Sequence, residues 1–202
     1  FVFTKVASTD TSLVMRLNFG GNAYMDYIYT LPAGSYLVKF DVNMVGMNRY
    51  ISRNLSQIGV DWDLVIPRLE KGYDNEKNYS TIVYKYPNEG DVEDLGLRKE
   101  ASSEELTTKV EWFAFQQQFF SSILVAQNDF TGGNLAYKFN TQDGYYATGE
   151  LMECSASMQV EYDAAESVTI PFEFYFGPNH YKTLKSYDYG FEKIVPLGGW
   201  LI

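Results

Sequence analysis

Apolar and polar side chains alternate along much of this chain, and such alternation sets successive residues on opposite faces of a β-strand. Between Ser12 and Phe19 one face carries Leu13, Met15, Leu17 and Phe19, while Arg16 and Asn18 point the other way. Between Tyr36 and Met44 the predicted buried set is Tyr36, Val38, Phe40, Val42 and Met44, against Lys39, Asp41 and Asn43. The same period returns at Ile82, Tyr84 and Tyr86, at Leu135, Tyr137 and Phe139, and at Ala156, Met158, Val160 and Tyr162. A last run places Val168, Ile170, Phe172, Phe174 and Phe176 on one face and Pro171 on the other, which predicts an edge or a bulge because proline cannot donate to a ladder.

Turn chemistry separates these runs. The stretches FGGN, LPAGS, NDFTGGN and TQDGYY supply Gly, Asn and Asp where positive φ or a side-chain-closed turn is needed, and several read as hairpins. One-sided strands joined by short turns predict a large antiparallel β-sandwich, an all-β fold. The charged stretch from Asn88 to Lys109 reads as an exposed loop, with Ser102 and Glu105 spaced as a capping box for a short helix. The segment Glu111–Ala126 fits neither period well and is read as two short strands broken at Gln116–Gln118. After Gly177, Tyr181, Leu184 and Tyr187, then Phe191, Ile194 and Val195, recur at steps of three and four, which predicts two short helices, the first capped by Asn179 and the second ended by Pro196.

The totals agree with a packed core: 202 residues, 46% hydrophobic, with 17 Tyr, 14 Phe and 3 Trp, and aromatic residues favour half-buried pleated surfaces. A net charge of −10 with scattered Lys and Arg gives no footprint for nucleic acid. The single cysteine, Cys154, excludes an internal disulfide and reads as a small buried hydrophobe. No run reaches the ~20 apolar residues of a spanning helix.

Candidate chemistry is sparse. Acid-base catalysis at neutral pH most often uses histidine, and the one His, His180, reads as a surface or capping residue. The serines follow no G-x-S-x-G elbow. Asp61 and Asp63 flank Trp62 on one face of a strand, where a hard cation would find two carboxylates but no third ligand nearby; the pair reads as the wet face of that strand. Asp91, Glu93 and Asp94 lack calcium-loop spacing, and the paired glycines lie between strands, where they make no phosphate cradle. The aromatics would suit a sugar-binding cleft, yet at period two they read as core. No catalytic residue, metal site or cofactor is expected.

The order of elements, together with YTLPAGSYLVKFDVNM (Tyr29 to Met44), EWFAFQQQFFSSIL (Glu111 to Leu124) and above all FYFGPNHYKTLKSYDYGFEKIVPLGGW (Phe174 to Trp200), resembles the large periplasmic domain of the bacterial YidC membrane protein insertase family in its Bacteroidetes-like version. The closing segment, a G-P-x-x-Y-x-x-L step followed by Y-D-Y-G-F-E-K, is the most specific. Trp112, Gln117, Phe119, Phe120, Gly177 and Pro178 stand at positions that the resemblance marks as structural signatures.

The resemblance implies a β-supersandwich like that of galactose mutarotases over residues 1–177, a helical linker over 178–196, and the start of a truncated transmembrane helix over 197–202. It makes Tyr181, Leu184, Tyr187, Phe191, Ile194, Val195 and Trp200 membrane-proximal, with the Phe191, Ile194 and Val195 face at the bilayer surface. It implies a periplasmic accessory or scaffold domain on the bacterial inner membrane, monomeric in isolation. The implied partners are the membrane core of the same polypeptide, the translocon components SecD, SecF and SecY, and nascent membrane proteins. Mutarotase chemistry wants a His acid in a cleft, and His180 lies in the C-terminal segment instead, so no enzymatic activity is implied. The alternative is a glycan- or peptide-binding module without catalysis.

Overall fold

The computed structural model describes residues 2–195. Four strands form an antiparallel meander: β1 (Thr4–Ser8), β2 (Ser12–Gly20), β3 (Ala23–Thr30) and β4 (Leu37–Val45). FGGN and LPAGS make its turns, as expected. A 3-10 turn at Met47–Arg49 leads to β5 (Gln57–Pro67), then α1 (Tyr73–Asn78), β6 (Thr81–Lys85) and β7 (Glu93–Asp94). The chain continues through β8 (Ala101–Leu106), β9 (Val110–Gln116), β10 (Phe120–Phe139), α2 (Gln142–Thr148), β11 (Glu150–Glu161) and β12 (Ser167–Pro178). The last elements among the described residues are α3 (Tyr181–Lys185) and a second 3-10 turn at Phe191–Ile194.

The 20-residue strand β10 belongs to two layers. Its first part, Phe120–Ala126, pairs with β12 and β9 inside a large sheet ordered β1-β2-β3-β4-β12-β10-β9-β6-β7. Its second part, Phe130–Phe139, pairs with β11 and β8, and β11 in turn pairs with β5, giving a smaller sheet ordered β5-β11-β10-β8. The layers face each other: Trp62 of β5 lies 4.8 Å from Phe115 and 5.3 Å from Phe174, ring centre to ring centre. Phe113, Phe130, Leu135, Met158 and Phe172 fill the space between them. This is the expected sandwich, with a shared strand.

NDFTGGN is therefore not a hairpin turn but the bend inside β10. The register slips between Phe130 and Gly132, and Gly132 and Gly133 sit at φ 147° and 148°, where a side chain is strained. A Cβ on Gly133 would also stand 2.6 Å from the Met158 Cα. Only glycine lets β10 cross between the layers so close to its neighbours.

Other expectations change. TQDGYY forms α2, because the Thr141 hydroxyl accepts from the Gly144 N–H at 3.1 Å and caps a helix. Ser102 and Glu105 cap nothing: they lie in β8, whose backbone bonds go to β10 and whose only buried side chain is Leu106. Tyr36 and Phe176 are 46% and 48% exposed, not core, since they lie at the end of the sandwich. Pro171 lies one residue past the last pair between β12 and β10, where β10 has bent away and β12 has a free side.

The two C-terminal helices shrink to a five-residue α3 and a 3-10 turn. Asp188 and Gly190 take positive φ, 60° and 74°, and reverse the chain before a second α-helix can start. Pro196 to Ile202, with Trp200, lie outside the described residues. Among the described residues no helix is long and apolar enough to cross a membrane.

Candidate functional site

The large sheet has a second apolar face. Cross-strand registers line up Val83, Ala114, Ile123, Tyr175 and Leu37 in one row, and Lys85, Trp112, Val125, Glu173 and Lys39 in the next. A third row holds Thr81, Gln116, Ser121 and Gly177. These side chains point away from the sandwich interior, and the segment Asn179–Val195 covers the middle of the face, around Val83, Trp112, Ala114, Ile123, Val125 and Tyr175, while Lys39 at its edge stays exposed. Leu184 and Phe191 are fully buried there and Ile194 nearly so, packed with Trp112, Ile123 and Tyr175. Burying each such apolar side chain contributes about 1.5–3 kcal/mol before chain ordering is counted.

Polar contacts fix the segment in register. The Trp112 indole N–H donates to the Tyr189 carbonyl at 2.9 Å, and the Phe191 ring stands edge-on to Trp112 at 5.3 Å. The Tyr189 hydroxyl accepts from Gln127 at 2.6 Å and donates to the Glu173 carboxylate. Burial, then the Glu173 hydrogen bond, pushes the Tyr189 hydroxyl up to about 12. Tyr175 donates to the Pro178 carbonyl at 2.7 Å, and burial raises its pKa too. The Tyr187 hydroxyl accepts from the Tyr36 backbone N–H at 3.0 Å.

Asn179 does not cap α3; it clamps the β9–β10 hairpin. Its backbone N–H donates to the Phe119 carbonyl at 2.7 Å, its amide donates to the Gln117 carbonyl at 2.7 Å, and its side-chain oxygen accepts from Ser121 at 2.7 Å. The residue before α3 is His180, which contacts Thr183 at 2.9 Å. Gly177 is glycine for a packing reason: a Cβ there would lie 2.7 Å from the Tyr175 hydroxyl and 2.9 Å from the Tyr36 ring.

Of the residues singled out in the sequence, Trp112, Gly177, Pro178, Tyr181, Leu184, Tyr187, Phe191, Ile194 and Val195 thus lie on or beside one face. The apolar side of Phe191 and Ile194 is turned to the sheet, where it meets Trp112, not outward as a free amphipathic face. Gln117 closes the hairpin through its N–H to the Phe120 carbonyl at 2.9 Å, and Phe119 and Phe120 project from it about half exposed. Gln116, Glu173, Gln127 and Asn179 were not read as site residues from the sequence. An amide at a strand end gives no signal until the strands are in register.

Elsewhere, an apolar cleft of about 300 Å³ opens between the layers, lined by Tyr27, Phe40, Trp62, Phe172 and Phe174 among others. Asp61 lies at its rim and bonds Ser157 across the strand pair. Asp63 projects on the same outer face of β5. No group of three His, Cys, Asp or Glu is placed to hold a metal ion among the described residues. Asp94 accepts from the Gly96 N–H at 2.6 Å, closing its own turn.

Comparison with known proteins places this arrangement. The fold is similar to that of a galactose mutarotase related enzyme from Lactobacillus acidophilus, with a TM-score of 0.51 and 10% identity over 86% of this chain and 70% of the other, so a mutarotase-like β-supersandwich describes it. The profile of the YidC periplasmic domain family matches residues 3–202, and the chain belongs to that family. It is 34% identical over 193 residues to the membrane protein insertase YidC of Bacteroides fragilis, covering 96% of this chain and 30% of that one. The insertase of Phocaeicola vulgatus is 35% identical over 176 residues, 87% of this chain and 27% of the other. The chain spans about 30% of the length of these curated relatives.

Proposed function

We propose that this chain is the periplasmic accessory domain of a membrane protein insertase, a non-catalytic scaffold on the outer side of the bacterial inner membrane. Residues 178–196 join it to the membrane core of the same polypeptide. The observation that carries this reading is the burial of Leu184, Phe191 and Ile194 on the sheet, with Trp112 bonded to Tyr189. A linker welded to the domain transmits position and orientation; a loose one would only tether. SecD, SecF, SecY and nascent membrane proteins are the partners such a platform would meet.

A non-enzymatic role is supported by the placement of His180 immediately before α3, outside the residues lining the inter-sheet cleft. That cleft favours a second reading, a binding module for a glycan or an extended apolar peptide, because its walls are aromatic and pre-formed. Chemical-shift titration with oligosaccharides and with apolar peptides separates the two; silence with both leaves the scaffold alone.

The scaffold reading is tested in the full-length parent by inserting a flexible Gly/Ser segment between Val195 and Pro196, and, as control, in the β1–β2 turn at Asp10. Protease protection of a client membrane protein is expected to drop with the first insertion and to hold with the second. Equal, undiminished protection in both would remove the coupling role.

A further inference from the structure

We propose that the end of the sandwich that carries Val195 and the β9–β10 hairpin tip is a lipid-facing surface, with Phe119 and Tyr79 entering the headgroup layer. The proposal rests on the reading above that this domain is joined to a membrane core.

The β9–β10 hairpin presents Phe119 and Phe120 at its tip, 53% and 49% exposed, with Tyr79 at 40% beside them. Beside the tip lies a hollow of about 410 Å³, walled by Asn75, Tyr79, Gln118, Phe119, Ile194 and Val195. Among the described residues no carboxylate, lysine or arginine lines it, in a chain that carries 26 acidic and 16 basic residues. Aromatic rings suit the boundary between headgroups and acyl chains, where Tyr and Trp are enriched, and no charge has to be desolvated in this hollow for lipid to approach it. The tip does not fold back over its rings, because Asn179 holds it through the Phe119 and Gln117 carbonyls. A protein of net charge −10 gains nothing from anionic lipid, so the attraction is apolar, not electrostatic.

The opposite end of the sheet supplies the control. Tyr50 is 54% exposed and donates to the Phe19 carbonyl at the β2–β3 turn. Cys154 is buried, so thiol dyes report only on introduced cysteines.

The 202-residue chain, carrying Phe119→Cys or Tyr50→Cys and an environment-sensitive dye, is anchored by a C-terminal histidine tag to phosphatidylcholine vesicles doped with a nickel-chelating lipid. Nitroxide-labelled lipids are expected to quench the dye at 119 about twofold or more over that at 50, with a blue shift at 119 only, insensitive to salt. A dye label at Tyr79→Cys should lose its quenching when Phe119→Ser and Phe120→Ser are added, with thermal unfolding unchanged. Equal quenching at 119 and 50, or none at 119, would overturn the proposal. Because the tag supplies the attachment, that failure would leave the scaffold role, tested by linker insertion, standing.

Discussion

The buried indole of Trp112 donates a 2.9 Å hydrogen bond to the carbonyl of Tyr189, 77 positions further along the chain. One bond thereby joins the sheet to the segment that covers its outer face. Trp112→Ala removes both the donor and the ring against which Phe191 packs, and is expected to destabilise the domain by about 3–5 kcal/mol. Trp112→Phe keeps most of the packing and leaves the carbonyl unpaired, a loss of about 1–3 kcal/mol. Urea unfolding of the two variants checks the order.

Two glycines should respond differently to alanine. At Gly133 the added Cβ meets the backbone of Ser157 and Met158 and the residue already sits at φ 148°, so neither neighbour can move aside. At Gly149, φ 76° with open space around it, alanine costs only the left-handed backbone, on the order of 1 kcal/mol. Thermal melting of Gly133→Ala should fall well below that of Gly149→Ala.

Stability should decline in alkali. Tyr189 and Tyr145 are pushed up to about 12, first by burial and then by hydrogen bonds to Glu173 and Glu76, and burial raises Tyr84 and Tyr175 as well. Unfolded tyrosine ionises near 10. A group whose folded pKa is raised gives its full contribution below the unfolded value and loses it as pH climbs through the folded one. Denaturation midpoints should thus hold flat to about pH 10 and fall toward pH 12; Tyr189→Phe should make the fall shallower.

Cys154 gives a probe of opening. It is buried among Tyr137 and Leu64, and burial pushes its thiol up, so it has neither access nor thiolate at neutral pH. Labelling by a thiol reagent should be slow in buffer and should accelerate in parallel with unfolding monitored by circular dichroism.

Strands with one wet face were legible in the sequence. Leu135, Tyr137 and Phe139, and Ala156, Met158 and Val160, are all buried as their alternation required. Strand β9 fitted no period because it has no wet face: Trp112 and Ala114 are covered by the C-terminal segment while Phe113 and Phe115 fill the sandwich. The stripe Leu184, Phe191, Ile194 was visible as apolar, but a stripe does not name the surface it meets. Here that surface is assembled from β6, β9, β10 and β12, and no local window contains it. The clamp by Asn179 was hidden for the same reason. Strand β8 was missed because five of its six side chains escape burial, and a strand held by backbone bonds alone leaves no hydrophobic trace.

The connection of β5 has a kinetic consequence. The meander from β1 to β4 pairs through short turns, whereas Leu64 of β5 finds its partner Cys154 on β11 about ninety positions later. As the chain emerges from the ribosome amino end first, the eleven residues of β5, with Ile58, Val60, Trp62 and Leu64 on one side, stay single until β11 (Glu150–Glu161) has been made. Synthesis thus opens a window in which this segment is the place for a holdase to bind and for misassembly to begin.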